Sequence, residues 1–166
     1  MNTTSLDLRG DREIVIERTF DAPPQLVFDV WTQPEHVRRW WTPLSCTEFV
    51  ECEADVRPGG AYRYVTRYGD QEAAFSGTYD DVQPPTRLVY TQVFEPMAEY
   101  GAVVVTVTFE PRGDRTHVVS HERYPSAEAR TGALASGMET GLRETYEQLA
   151  ALVAQLQARA DIPFEP

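Results

Sequence analysis

Polar and hydrophobic residues first fall into a clear rhythm over 13–20, where Ile14, Ile16 and Phe20 share one face at period two and Arg18 falls on that same face. Such alternation predicts a strand with one buried side. Asp21-Ala22-Pro23-Pro24 then reads as a helix entry, with Asp21 as the cap and proline pre-set for the first turn. Leu26, Val27, Val30 and Trp31 follow at helical spacing and predict one buried stripe. Pro34 ends or restarts that helix, and 35–41 predicts a second short one that finishes on Trp40-Trp41 before Pro43. Neighbours on a helix point about 100° apart, so Trp40 is expected to be buried more deeply than Trp41, which stands at the exit.

From Ser45 the rhythm becomes that of an antiparallel meander punctuated by Pro and Gly. Pro58-Gly59-Gly60, Gly69-Asp70, Pro84-Pro85 and Arg112-Gly113-Asp114 are the predicted turns, and strands are predicted over 45–56, 61–68, 73–82, 87–94, 102–110 and 115–123. With 13–20 the expected sheet has seven strands. Gly59 or Gly60 is expected at positive φ, because the turn must reverse the chain there. Ser126 is a plausible cap for a helical tail in which Leu134, Met138, Leu142, Tyr146, Leu149 and Val153 recur every three or four residues. A one-sided helix and a one-sided sheet must bury against each other, so the fold class is α+β, in one domain over 1–166 with an ordered core of about 13–158. The stretches 1–10 and 160–166 are expected to be loose ends.

Composition narrows function more than fold. No apolar run approaches a membrane span, and the polar N-terminus lacks the features of a secretory signal, so a cytoplasmic location is expected. The net charge of −11 repels phosphate backbones and anionic headgroups, which argues against nucleic acid and membrane as partners. Cys46 and Cys52 suit neither a zinc site nor a redox pair and are expected to be free thiols. His117 and His121 stand about 13 Å apart along a strand, so with His36 they are expected at the surface rather than on a metal. No P-loop, nucleophile elbow or dinucleotide fingerprint occurs, and no cofactor or metal is expected.

Several motifs in order carry a resemblance: Arg18-Thr-Phe-Asp-Ala-Pro, Arg39-Trp-Trp-Thr-Pro, Arg57-Pro-Gly-Gly-Ala-Tyr-Arg, Phe75-Ser-Gly-Thr-Tyr, Pro85-Thr-Arg-Leu-Val-Tyr-Thr and Ser136-Gly-Met-Glu-Thr-Gly. Over about 13–156 the chain resembles the START-like or SRPBCC superfamily, and within it proteins similar to the C-terminal domain of the activator of the heat-shock protein 90 ATPase. The resemblance implies a helix-grip fold: a curved antiparallel sheet of seven strands wrapped around the long C-terminal helix, with two short helices after the first strand. Relatives in that superfamily include lipid carriers, hormone receptors, aromatic polyketide cyclases and chaperone cofactors, so the fold implies no single reaction. The eukaryotic cochaperones carry an additional N-terminal domain for which this chain is expected to have no room.

Candidate site residues follow from alternation combined with that fold. Tyr62, Tyr64 and Tyr68 share a strand face, as do Phe75 and Tyr79 on the next strand. In the fold this resembles, Tyr62 and Tyr64 turn inward toward Met138 and Leu142, and with Trp31 and Trp40 they would line an apolar cavity whose phenols orient a ligand. Tyr90 belongs to the same expected ligand-binding set. On the last strand Val118, Ser120 and Glu122 share a face that the family register turns inward. Glu122 is the candidate catalytic residue, a carboxyl whose burial would raise its pKa; a structural ion pair with Arg18 is the competing reading. Gly137 and Gly141 sit in the C-terminal helix at a cost of about 1 kcal/mol each. Either sheet or ligand approaches the helix closely there, or the helix breaks before Met138. The expected function is a small-molecule binding protein holding a hydrophobic or aromatic ligand between sheet and helix. A cyclase- or hydrolase-type enzyme and a chaperone-activator-like interaction module are the alternatives, and a homodimer is compatible with the sequence.

Overall fold

A β-hairpin opens the chain: β1 (Ser5–Arg9) runs antiparallel to β2 (Glu13–Phe20) across a turn where Gly10 takes φ 55°. The computed structural model describes residues 2–42 and 48–160. Next come α1 (Pro24–Thr32) and α2 (Pro34–Trp40), then β3 (Glu48–Ala54), β4 (Ala61–Tyr68), β5 (Gln71–Gln83) and β6 (Arg87–Phe94). A 3₁₀ segment, Glu95–Tyr100, leads to β7 (Val103–Arg112) and β8 (Arg115–Arg123), and the chain closes with α3 (Ala127–Ala135) and α4 (Met138–Ala160). Among the described residues the strands form one curved antiparallel sheet in the order β1-β2-β8-β7-β6-β5-β4-β3. The helix α4 packs against α1, α2 and β2.

The sheet has eight strands rather than seven, because β1 lies in the stretch expected to be loose. Its apolar content is slight: Leu6 is half-buried and Leu8 is exposed, so the strand is held mainly by backbone pairing to β2 and leaves little hydrophobic signal. The expected continuous C-terminal helix is two helices. Gly137 takes φ 85°, a conformation that ends α3, and α4 restarts at Met138. The expected helix break forms at Gly137, and Gly137 and Gly141 both also line the cavity between sheet and helices. Ser126 does cap α3, its Oγ accepting from the Ala129 N–H at 3.0 Å. Asp21 does not cap α1: Pro23 occupies that position, and the Asp21 carboxylate accepts instead from Arg115 Nε at 2.8 Å.

Within the paired short helices, the Trp40 indole N–H donates to the Val30 carbonyl at 2.8 Å, which locks α2 onto α1. Trp40 is 4% exposed and Trp41 half-buried, the expected order. At the Pro-Gly-Gly turn Gly59 takes φ 84°, while Gly60 is required for another reason: a Cβ there would stand 1.9 Å from the Asp55 carbonyl oxygen. Cys52 is a buried free thiol donating to the Pro34 carbonyl at 3.6 Å, and burial pushes its pKa up to about 11. Cys46 and Pro43 lie outside the described residues. His117 and His121 point away from the core and face Glu17 and Glu13 on β2, with His117 largely buried against Thr19 and His36 half-buried.

Candidate functional site

The space between sheet and helices divides along its length. At one end it is filled: Phe109 packs edge-on against Phe28 (5.2 Å between centroids) and Trp31 (5.7 Å), beside the fully buried Phe20, Val118 and Leu149. Toward the first turns of α4 the sheet stands away from the helix, and a cavity of about 480 Å³ opens. That volume lies within the roughly 300–1,000 Å³ of ordinary small-molecule sites.

All the residues expected to form the site line this cavity. Tyr62 and Tyr64 enter from β4, Phe75 and Tyr79 from β5, Tyr90 from β6, and Ser120 and Glu122 from β8. Trp31 and Trp40 close it from α1 and α2, and Met138 and Leu142 from the first turns of α4. The strand residues meet because inward positions repeat every second residue and the registers align them: Tyr64 pairs with Phe75, Tyr79 with Tyr90, Tyr90 with Val105 and Val105 with Glu122.

The wall is ordered by its hydroxyls. The β5–β6 ladder opens between the pairs Ser76–Val93 and Tyr79–Tyr90, and side chains fill the gap. Tyr62 donates its hydroxyl to the Thr91 carbonyl at 2.7 Å, and the Thr78 N–H donates to Thr91 Oγ1 at 3.0 Å. Gly77 makes this approach fit, since a Cβ there would fall 1.8 Å from the Thr91 carbonyl oxygen and 2.9 Å from the Tyr62 ring. Polar interactions also link Tyr64 with Tyr79, Trp31 with Tyr90 and Ser120 with Tyr146. Burial raises the pKa of each of these phenols, that of Tyr79 to about 12, so they serve as neutral hydroxyls at physiological pH.

Glu122 is different. Burial pushes its carboxyl up to about 7, while the Tyr124 hydroxyl, donating to Oε1 at 3.0 Å, acts in the opposite direction. It is 9% exposed and is the one charged side chain among the described residues lining the cavity. The expected pair with Arg18 does not form. Parity puts both residues on the inward face, yet Arg18 pairs across the ladder with Val118, four residues or about 13 Å along the strand from Glu122. Arg18 lies at the filled end, where its Nη1 donates to Glu147 at 2.7 Å and to Thr4 at 3.1 Å.

Several lining residues escaped the sequence reading. Gln92 and Phe94 continue the inward alternation begun by Tyr90, and Tyr124 continues that of Ser120 and Glu122, so period two alone could have found them. Trp41 packs against Phe75 at 4.8 Å and Tyr64 at 5.1 Å, joining the wall from beyond the end of α2. Tyr100, in the 3₁₀ segment, lies next to Gly132 of α3, an encounter between segments distant in sequence that leaves no local pattern. Among the described residues no group of three or more His, Cys, Asp or Glu side chains is placed to hold a metal ion, and no helix is long and apolar enough to cross a membrane.

A curved sheet gripping a C-terminal helix over an aromatic cavity defines a helix-grip protein of the SRPBCC type, a fold that fits a small-molecule-binding or activator-type module. The chain belongs to the family described as Activator of Hsp90 ATPase homolog 1-like protein, whose model matches residues 21–154. No curated protein matches it. Solved structures share the fold: a protein from Rhodobacter sphaeroides is 23% identical with a TM-score of 0.84, over 92% of this chain and 99% of that one. A protein from Arthrobacter aurescens is 27% identical with a TM-score of 0.81, over 91% of each chain. Ms6760 from Mycobacterium smegmatis is 23% identical with a TM-score of 0.80, over 92% of this chain and 96% of that one.

Proposed function

We propose that the protein binds a hydrophobic or aromatic small molecule in the cavity between sheet and α4. The observation that carries this reading is the position of the polar groups in the cavity. A space of about 480 Å³ walled by aromatic rings also holds Tyr79, Tyr90, Gln92, Ser120 and Glu122, polar groups that an ordinary core avoids and a ligand site uses for orientation. Trp31, Trp40 and Trp41 all line the space, so the protein's own fluorescence reports occupancy. Titration with the neutral apolar probe N-phenylnaphthylamine should give saturable, equimolar binding with a change in tryptophan emission; a featureless titration refutes the proposal.

Glu122 favours one second reading, an enzyme of the cyclase or hydrolase type. A carboxyl with its pKa near 7 inside a ligand cavity can both give and take a proton at neutral pH. In that case Glu122→Gln abolishes turnover of a bound substrate and leaves its affinity largely intact. Turnover that survives the substitution removes the reading.

A further inference from the structure

Glu122 has a feature that neither reading uses: it is a buried acid that forms no ion pair among the described residues. Taking a carboxylate out of water is expensive unless a positive group accompanies it. The guanidinium groups of Arg18 and Arg130 are directed to other partners. Arg18 bonds Thr4 and Glu147, and Arg130 of α3 donates to the backbone carbonyls of Arg9, Gly10 and Glu13. The groups that face the carboxyl are phenols: Tyr124 beyond the end of β8, Tyr90 from β6 and Tyr146 from α4. Arg130 acts electrostatically on Tyr124, and burial raises the pKa of all three phenols. A lone acid in a cage of electron-rich rings, inside a molecule of net charge −11, is complementary to a cation and repels an anion.

Resting on the cavity reading, we infer that the ligand is a hydrophobic amine, its ammonium against Glu122 and its apolar body among the rings of Trp31, Tyr90 and Tyr146. The ligand supplies the counter-charge that the protein omits. Protons compete for the same carboxyl, so affinity depends on pH. An alkylammonium keeps its proton between pH 6 and 8, whereas the fraction of Glu122 ionised falls about tenfold from pH 8 to pH 6 when its pKa is about 7.

Three probes with one ring system separate the cases: naphthylmethylamine, naphthylmethanol and naphthoate, titrated calorimetrically into the whole protein. At pH 8 the amine is expected to bind at least about tenfold more tightly than the alcohol, with naphthoate weakest. The amine's advantage should shrink about tenfold at pH 6 and fall to within about twofold in Glu122→Gln, while continued binding of the alcohol by the variant reports an intact cavity. Equal affinity for amine and alcohol in wild type, or an advantage that survives Glu122→Gln, overturns the inference. Binding of N-phenylnaphthylamine with no preference for the amine removes the charge assignment alone. If neither that probe nor any of the three binds, the cavity reading falls and this inference with it.

Discussion

The two ends of the space under α4 are built from the same strands and differ in kind. On β7 the inward residues run from Val107 and Phe109 at the filled end to Val103 at the cavity; on β8, from Val118 to Ser120 and Glu122; on α4, from Leu149 and Val153 back to Leu142 and Met138. The filled end is aliphatic and phenylalanine-rich, and its largest side chains have essentially no exposure. The other end keeps the aromatic bulk but adds hydroxyls, an amide and a carboxyl around an open volume. The filled end thus supplies rigidity and the other is shaped for occupancy, because polar groups next to unfilled space are a burden on a core and an asset to a site.

This contrast can be broken most forcefully at the filled end. Phe109→Ala removes a ring held edge-on by both Phe28 and Trp31 and should lower stability by about 3–5 kcal/mol in urea denaturation. Leu142→Ala at the cavity should lose only about 1 kcal/mol, since one side of Leu142 already lacks packing partners. Equal losses would mean that the two ends are packed alike.

Glu122 gives the next largest effect, with a sign that depends on pH. Its folded pKa of about 7 lies above the ordinary value of 4.5, so between these two values the folded state holds a proton that the unfolded state has released. Stability from this group is therefore fully present below about pH 4.5 and is lost as pH rises to 7, a total of about 3 kcal/mol at 1.36 kcal/mol per unit. Glu122→Gln keeps the acceptor for Tyr124 and removes the charge. It should stabilise the protein by up to about 3 kcal/mol at pH 8 relative to wild type, with most of that gain gone at pH 5. Denaturation midpoints at the two pH values decide this; a variant less stable than wild type at pH 8 contradicts the burial argument.

Gly137 gives the smallest effect. An alanine forced to φ 85° at the α3–α4 break should cost about 1 kcal/mol, although nothing lies within 4 Å of where its Cβ would stand. An unchanged midpoint would mean that the break can be remodelled without penalty.

Much of this division was legible in the sequence, because its carriers obey simple periods. Alternation placed Tyr62 and Tyr64 on one face and Ser120 and Glu122 on another, and the family register turned both faces inward. Alternation fixes which face a residue occupies and not how far along the strand a partner lies, which is why Arg18 and Glu122 were matched although they belong to opposite ends. β1 was missed because its pairing is made by backbone that carries no side-chain signature, and the helix break at Gly137 was one of two readings that a glycine inside a helical pattern permits. Trp41 and Tyr100 reach the cavity through tertiary approach, for which a single sequence holds no period.

The central claim, that the volume at the first turns of α4 is kept open for a ligand, is tested most directly by filling it. Met138 is half-buried and lines the cavity, so Met138→Trp places an indole in that space. The denaturation midpoint of this variant, measured beside wild type with N-phenylnaphthylamine binding recorded on the same samples, should stay within about 1 kcal/mol of wild type while probe binding is lost. A loss of about 1–3 kcal/mol, the usual penalty for overfilling a packed interior, together with no probe binding by wild type, would contradict it.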